Sequence, residues 1–560
     1  MSELKHTREI MLHLTGPEGE YPVVTQMING QEYPAFTTVA PSLPAMFQIC
    51  MEHGDKEFVV SEDSRYSFKE VYFAACRVAN LLKARGIQKG DRVAVAMRNR
   101  PEWVMAYMGT LMAGAVVVPM NSWWTGPELD FGLNDCGAKL VFVDRSRLKR
   151  LQETANATPV INAGAFGEKD NEFTRLIAEH PAVQPAFDDV LPDDDATIMY
   201  TSGSTGHPKG AVSTHRAVMT TLMSWVLTGA SIKIFEGTFG EEPENQLAIM
   251  ATLPLFHVTG CHGQFLCSII LGRKLVLVRR WDPEQAAAII EKEKICNFSG
   301  VPTMSMELME VAKKGKYDLS SLQDLMAGGA ARPPDQVKQL KTAFPQARPQ
   351  AGYGLTESNA LGTLNGMSDY LDEPASTGMA TVPLMQIEIR DPDGNVLAPG
   401  EPGEVCMRSA SNMRAYWNRP KETSETLVDG WLKTGDVGYV DEDGFLFIVD
   451  RIKDIVIRGG ENISCIEVEA MISAHEAVRE AAVFSVPHER LGEAVGAALF
   501  VSPGEDVTAQ ALQKWLEGRI AQFKIPEFIT IVYKQLPRLA SGKIDKRASR
   551  EMLLSSLNQQ

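Results

Sequence analysis

The sequence predicts an α/β protein: a large region of alternating strands and helices, then a small α+β domain. Three observations carry this. The chain has 560 residues, too many for one compact core, so at least two domains are expected. Residues 67 to 143 switch repeatedly between helical and strand periodicity, the pattern of a sheet covered on both faces. Near residue 450 the texture changes. The apolar run from Gly444 to Val449 gives way to the charged break Asp450-Arg451-Ile452-Lys453-Asp454. The remainder is long enough for a small α+β domain. The predicted division is therefore residues 1–450 and 451–560.

The elements follow in order. Ser67 and Glu70 have the spacing of a capping box. Val71, Ala74, Val78, Leu81 and Leu82 then recur with a helical period, and Gly86 ends the helix. Arg92 to Met97 reads as a strand, Pro101 opens a helix, and Ala115 to Pro119 is an apolar run of the kind found in buried parallel strands. Leu140 to Val143 repeats the theme. An acidic connector, Asp188 to Asp195, leads into the apolar stretch Thr197 to Tyr200. Beyond the charged break the sequence predicts a helix from about Ile466, strands near Ala481 and Ala494, a helix near Gln510 and a strand near Phe528.

Composition narrows the function. There are 55 basic and 71 acidic residues, a net charge of −16. That balance argues against general nucleic-acid or anionic-membrane binding, while a locally basic pocket stays open. The eight cysteines include no C-x-x-C pair, so they read as reduced, buried thiols. The first residues are polar and lead into no secretory apolar core. The apolar run from Leu111 to Met120 is too short to cross a bilayer. The expectation is a cytoplasmic protein without a transmembrane segment.

The strongest local signal is Tyr200-Thr201-Ser202-Gly203-Ser204-Thr205-Gly206-His207-Pro208-Lys209-Gly210. Glycines admit backbone N–H groups to phosphate oxygens, hydroxyls donate hydrogen bonds, and Lys209 brings a mobile positive charge. It is not a Walker A loop, because Gly210 follows Lys209 where Ser or Thr is required. A Gly/Ser loop by itself is more often a flexible turn, so the remaining motifs decide.

The string resembles the phosphate loop of the adenylate-forming superfamily, which holds acyl-CoA synthetases, peptide-synthetase adenylation domains and firefly-type luciferases. Gly352-Tyr353-Gly354-Leu355-Thr356-Glu357 resembles its second core motif, Thr434-Gly435-Asp436 its ribose motif, Asp450 to Asp454 its hinge, and Pro537 to Lys543 its C-terminal lysine motif. All five stand in the family order. The resemblance implies a large N-terminal domain of αβ layers plus a distorted β-barrel near residues 360 to 450, and a mobile C-terminal domain pivoting at Lys453. It implies ATP, Mg²⁺ and coenzyme A. Thr201 through Gly206, with Lys209, would cradle phosphate. Tyr353 would stack on adenine, Asp436 and Arg451 would bind ribose, and Thr201 and Glu357 would share Mg²⁺. Thr356, Glu357, His257 and Lys543 form the implied catalytic set. A lysine charge suits the α-phosphate during anhydride formation.

Leu253 to Gly260 and Asn297 to Thr303 resemble the CoA-ligase branch. Gly460 fits a glycine beside the pantetheine path, and Ile457 stands where luciferases carry a lysine. The implied activity is an AMP-forming acid–thiol ligase acting on a small-molecule carboxylic acid and CoA, with a homodimer left open. Loading of a carrier protein in trans and a non-catalytic nucleotide-binding regulator are the alternatives. The acid is weakly marked. Cys261 replaces the gating tryptophan of several long-chain synthetases. The candidate lining of Trp225, Met304, Gly328 and Gly329 suits a fatty or aryl-alkyl acid, and no basic residue announces a dicarboxylate.

Overall fold

The computed structural model describes residues 2–201, 208–328, 332–458, 461–502, 504–505, 507–539 and 542–557. The capping box forms as expected: Ser67 and Glu70 close the N-terminus of helix Phe68–Ala84. Its buried face is wider than the predicted stripe, adding Tyr72, Ala75, Cys76 and Ala79. It packs against helix Pro101–Met112, whose first residue is the expected proline. The two approach closely at Gly109, where a Cβ would lie 2.5 Å from Val78 Cβ and 2.7 Å from the Ala75 carbonyl oxygen.

Two large sheets form the body among the described residues. One has seven strands in the order Ala415–Tyr416, Lys209–Thr214, Asp195–Thr201, Val116–Pro119, Arg92–Ala96, Leu140–Val143 and Val160–Asn162. Its last five are parallel. The other has nine, with Arg348–Tyr353, Asp324–Gly328, Asn297–Gly300, Ala248–Ala251, Lys274–Leu277 and Glu57–Val60 as its parallel centre. The shared core between helices and sheets includes the stacked pair Trp103 and Tyr107, both fully buried. All eight cysteines are free and buried.

The region expected to form a barrel contains a five-stranded antiparallel sheet: Gln386–Arg390, Gly403–Arg408, Leu427–Val428, Trp431–Val440 and Leu446–Arg451. Strands Thr363–Asn365 and Met379–Ala380 instead extend the edge of the nine-stranded sheet. The charged break starts later than predicted, since Asp450 and Arg451 complete a strand and the turn begins at Ile452. The C-terminal domain then builds its own five-stranded sheet on Val478–His488 and Gly492–Val501. Helices Cys465–Ser473 and Ala509–Leu516 and strand Phe528–Val532 stand where the sequence put them. Helix Lys546–Leu557 was not anticipated.

Among the described residues, length and composition single out one helix, His215–Glu236, as long and apolar enough to cross a membrane, rather than the Leu111 to Met120 run. Most of its apolar window is buried inside the fold, and it packs against the N-terminal helix Glu3–Leu14. It serves here as a core helix.

Gly109→Val should destabilise the large domain by about 1–3 kcal/mol, the usual range for overpacking. Neither Val78 nor the Ala75 backbone is a flexible side-chain end that can yield. Urea unfolding followed by tryptophan fluorescence measures this; an unchanged midpoint would mean that the helices separate freely at Gly109.

Candidate active site

The predicted site residues converge because of where parallel strands end. Strands Ala248–Ala251, Asn297–Gly300, Asp324–Gly328 and Arg348–Tyr353 are neighbours in one sheet. Their C-terminal ends lead to His257, Met304, Gly328 and Tyr353 with Glu357, respectively. Open α/β sheets bind ligands at this edge.

Of the phosphate-loop string, Thr201 and Lys209 stand on two paired antiparallel strands. Thr201 ends one strand, Lys209 begins the next, and the two are register partners. The Thr201 hydroxyl donates to the Lys209 carbonyl at 3.4 Å. Tyr416 joins this strand pair to the second motif. Its strand pairs with Lys209–Thr214, Lys209 Nζ stands 5.2 Å from its ring centre, and its phenol donates to Glu357 Oε1 at 2.7 Å. Burial, with the Glu357 carboxylate adding to it, pushes the Tyr416 phenol well up, so it stays a donor. A cavity of about 260 Å³ lies between Glu357, Tyr416, Thr434 and Gly435. Sequence reasoning missed Tyr416, which lies in no motif it used.

The ribose-motif residues form a second cluster. Asp436 and Arg451 face each other across adjacent antiparallel strands, and Arg451 Nε forms an ion pair with Asp436 Oδ1 at 3.1 Å. The Tyr353 phenol donates to Asp436 Oδ2 at 2.7 Å. Asp436 thus holds one partner on each oxygen, and a carboxylate with about four lone-pair sites keeps acceptor capacity beyond these.

Lys543 reaches this cluster from the C-terminal domain. Its ammonium is pushed down to about 8, first by burial and then by Arg451, with Asp436 opposing. Lys543 is also close enough to His257 to depress it. The His257 imidazole falls to about 4, mainly through burial, and is neutral near pH 7. Its Nε2 has no hydrogen-bond partner among the described residues. A π-helix, Thr259–Leu266, follows it, a form enriched at functional sites. Gly260 is required there, because a Cβ would lie 2.3 Å from the Pro254 carbonyl oxygen.

The candidate acyl lining is only partly assembled by contacts. Met304 lies beside Gly542, the neighbour of Lys543, and among the described residues a Cβ at Gly328 would meet only the Gly352 carbonyl. Trp225 packs instead over Gly263, with ring atoms 3.9 and 4.0 Å from where a Cβ would stand. The sequence reading had not named Gly263. Cys261 is fully buried. Thr356 opens a short 3-10 turn with Glu357. Ser202, Gly203, Ser204, Thr205, Gly206, Gly329 and Gly460 lie outside the described residues.

Residues 46–417 match the family described as AMP-binding enzyme, and residues 467–543 match the AMP-binding enzyme C-terminal domain. The chain belongs to the AMP-binding enzyme family. It is an enzyme of a family of AMP-forming ligases. It is 33% identical over 499 residues to a long-chain-fatty-acid–CoA ligase of Mycobacterium tuberculosis, covering 88% of this chain and 94% of that one. It is 34% identical over 491 residues to a feruloyl-CoA synthase of Amycolatopsis, covering 86% and 92%. Among solved structures, the o-succinylbenzoate coenzyme A synthetase of Bacillus subtilis with ATP and a magnesium ion superposes with a TM-score of 0.77 at 28% identity, covering 91% and 98%.

The donor set suits Mg²⁺ held mainly by a nucleotide. Among the described residues no group of three or more acidic, histidine or cysteine side chains forms a cage. Mg²⁺ typically takes one or two carboxylates with phosphates and waters. Glu357 and the Thr201 hydroxyl offer that minimal set.

The Lys543 amine should become reactive near pH 8, against ~10.4 for exposed lysines. Below that value it is a cation; above it, a free amine. Competitive acylation across a pH series, read by peptide mass, measures the midpoint. Arg451→Gln should raise the midpoint by removing a depressing charge. An ordinary lysine midpoint in the unsubstituted protein would contradict the burial of Lys543 in the cleft.

Proposed function

We propose that this protein is an acid–CoA ligase. In the first step an oxygen of the acid's carboxylate attacks the α-phosphorus of ATP, the bond to the β-phosphate bridge breaks, and pyrophosphate leaves. In the second the CoA sulfur attacks the acyl carbon, AMP leaves, and the thiol proton passes to solvent. The observation supporting this is the convergence of Lys543, Asp436, Arg451 and neutral His257 between the two domains. Bound Mg²⁺ would supply charge neutralisation for the phosphates, held by Glu357 and Thr201.

Each residue has a task in this reading. Asp436 accepts ribose hydroxyls and Arg451 fixes its orientation. Tyr353 presents its ring to adenine while its hydroxyl stays tied to Asp436. Thr201, Lys209 and the loop between them hold the phosphates, and Tyr416 keeps Glu357 aligned with that loop. Lys543 supplies the positive charge for the α-phosphate as it passes through its transition state. His257, uncharged and without a partner on Nε2, adjoins the reacting carboxylate and does not compete with Lys543 for it.

The acid we favour is fatty or aryl-alkyl, because the lining proposed for it is apolar. We assign residues 1–450 to the adenylating domain and 451–560 to a lid turning at Lys453, with Gly460 on the thiol path and the reaction taking place in the cytoplasm. An acid panel, with AMP release and CoA-thiol consumption read in parallel, tests the reading. AMP release that never consumes free CoA would point to another acceptor.

Lys543→Ala should slow acyl-adenylate formation by about 10²–10³, by analogy with loss of one preorganised transition-state donor. Thioester formation from preformed acyl-AMP should be spared. Equal losses in both half-reactions would defeat the assignment. Lys453→Pro should show the opposite split. Proline fixes φ and restricts the preceding residue, so the lid would stay in the adenylating orientation. Acid-dependent pyrophosphate exchange should persist while single-turnover thioester formation falls; an unaffected second step would place the pivot elsewhere.

A further inference from the structure

Lys543 follows Gly542 where the chain folds back on Leu539, and a charge of that kind is useful only if its backbone is held firmly. The Gly542 N–H donates to the Leu539 carbonyl at 2.9 Å, and the Leu539 N–H donates to the Lys543 carbonyl at 2.8 Å. Arg538 and Ile544 bridge the base of this fold-back. These bonds close it on itself but do not fix it to the domain.

The fixing comes from a side-chain pair. One terminal nitrogen of Arg538 donates to the Gly542 carbonyl at 2.6 Å. The other pairs with Glu480 Oε1. Glu480 Oε2 accepts from the Leu536 N–H at 2.8 Å, so one buried carboxylate holds both the segment that leads to Arg538 and the arginine itself. Glu480 is 4% exposed. It sits where the pairing of Val478–His488 with Gly492–Val501 slips register, a bulge able to re-aim a side chain. Beyond Lys543, Lys546 pairs with Glu469 at 2.8 Å.

We propose that Arg538 and Glu480 are positioning residues for the first half-reaction, aiming Lys543 through the Gly542 carbonyl. The proposal rests on the role given to Lys543 above. Every member of the pair belongs to the C-terminal domain, so the clasp travels with the lid. Its loss is then felt only where Lys543 meets substrate, in adenylation. A guanidinium is needed because its fork reaches two acceptors in different directions, whereas an ammonium is a point charge.

The test uses the full chain with octanoate, decanoate and 3-phenylpropionate as probes, and octanoyl-AMP with CoA for the second step. Arg538→Lys keeps a cation for Glu480 and gives up the fork. It should lower acid-dependent pyrophosphate exchange by about a hundredfold, the scale of a 1 Å misplacement, and leave thioester formation from octanoyl-AMP at the unsubstituted rate. Glu480→Gln should show the same split more mildly, since the amide oxygen still accepts. Added to Lys543→Ala, Arg538→Lys should slow exchange no further. Unsubstituted exchange in Arg538→Lys, equal loss of both half-reactions, or an additive loss on top of Lys543→Ala would each overturn the proposal. If the unsubstituted protein exchanges pyrophosphate with none of the acids, the functional reading itself fails, a result recognisable before any variant is made.

Discussion

The structure depends on holding a lysine charge in a cleft between two domains. Lys543 is pushed down by burial and by Arg451, and only Asp436 pulls it back. Burying a cation is unfavourable unless an opposite charge meets it. Arg451 already occupies one oxygen of Asp436 and Tyr353 the other. Among the described residues, Lys543 and Arg451 share one carboxylate, Asp436, so positive charge is in excess in the cleft. An anionic ligand entering it relieves that imbalance. In the proposed reading, lid closure and nucleotide binding therefore favour each other.

The same geometry needs a joint that is firm when closed. The tie across the junction is Asp450, the penultimate residue of its strand in the large domain. Its carboxylate accepts the N–H groups of Cys465 and Ile466, at the start of helix Cys465–Ser473 in the small domain. A carboxylate at a helix N-terminus meets both unpaired donors and the positive end of the helix dipole. Ser464 adds a second tie, donating to the Val449 carbonyl at 2.7 Å. Between these anchors lie the exposed residues Arg451, Ile452 and Lys453. Together with a bond from Gln535 Nε2 to Glu307 Oε1 at 3.3 Å, these are few ties, which fits the turning lid proposed above better than a shared sheet would.

The features that local periodicity records were legible in the sequence. The capping box at Ser67, the helix-opening Pro101 and the parallel strands are set by neighbours three or four residues away, and they fold as read. The motif residues were legible because each lies in a string of fixed spacing. What escaped depends on distant partners. Tyr416 meets Glu357 across 59 positions and Arg538 meets Glu480 across 58, and no local pattern encodes such a meeting. Strands Val456–Arg458 and Glu461–Ile463 are three residues each, below the length at which alternation can be recognised. The approximate barrel range, 360 to 450, came from the family resemblance, and its first part, Thr363–Asn365 with Met379–Ala380, joins the nine-stranded sheet instead.

The proposed acyl pocket follows a different logic from the nucleotide site. The nucleotide site is built from side chains that must be present, each with a named partner. The acyl side is shaped largely by side chains that are missing. At Gly263 a Cβ would come no nearer than 3.9 Å to the Trp225 ring, an ordinary contact. At Gly328 it would meet only the Gly352 carbonyl at 3.9 Å. If these positions line the acid's path as proposed, a methyl at either would change the room offered without forcing the described backbone to move. Apolar pockets distinguish one methylene by only about 1–3 kcal/mol, so such small changes shift preference gradually. A fold with a fixed polar site and an adjustable apolar one can keep its chemistry while its acid changes.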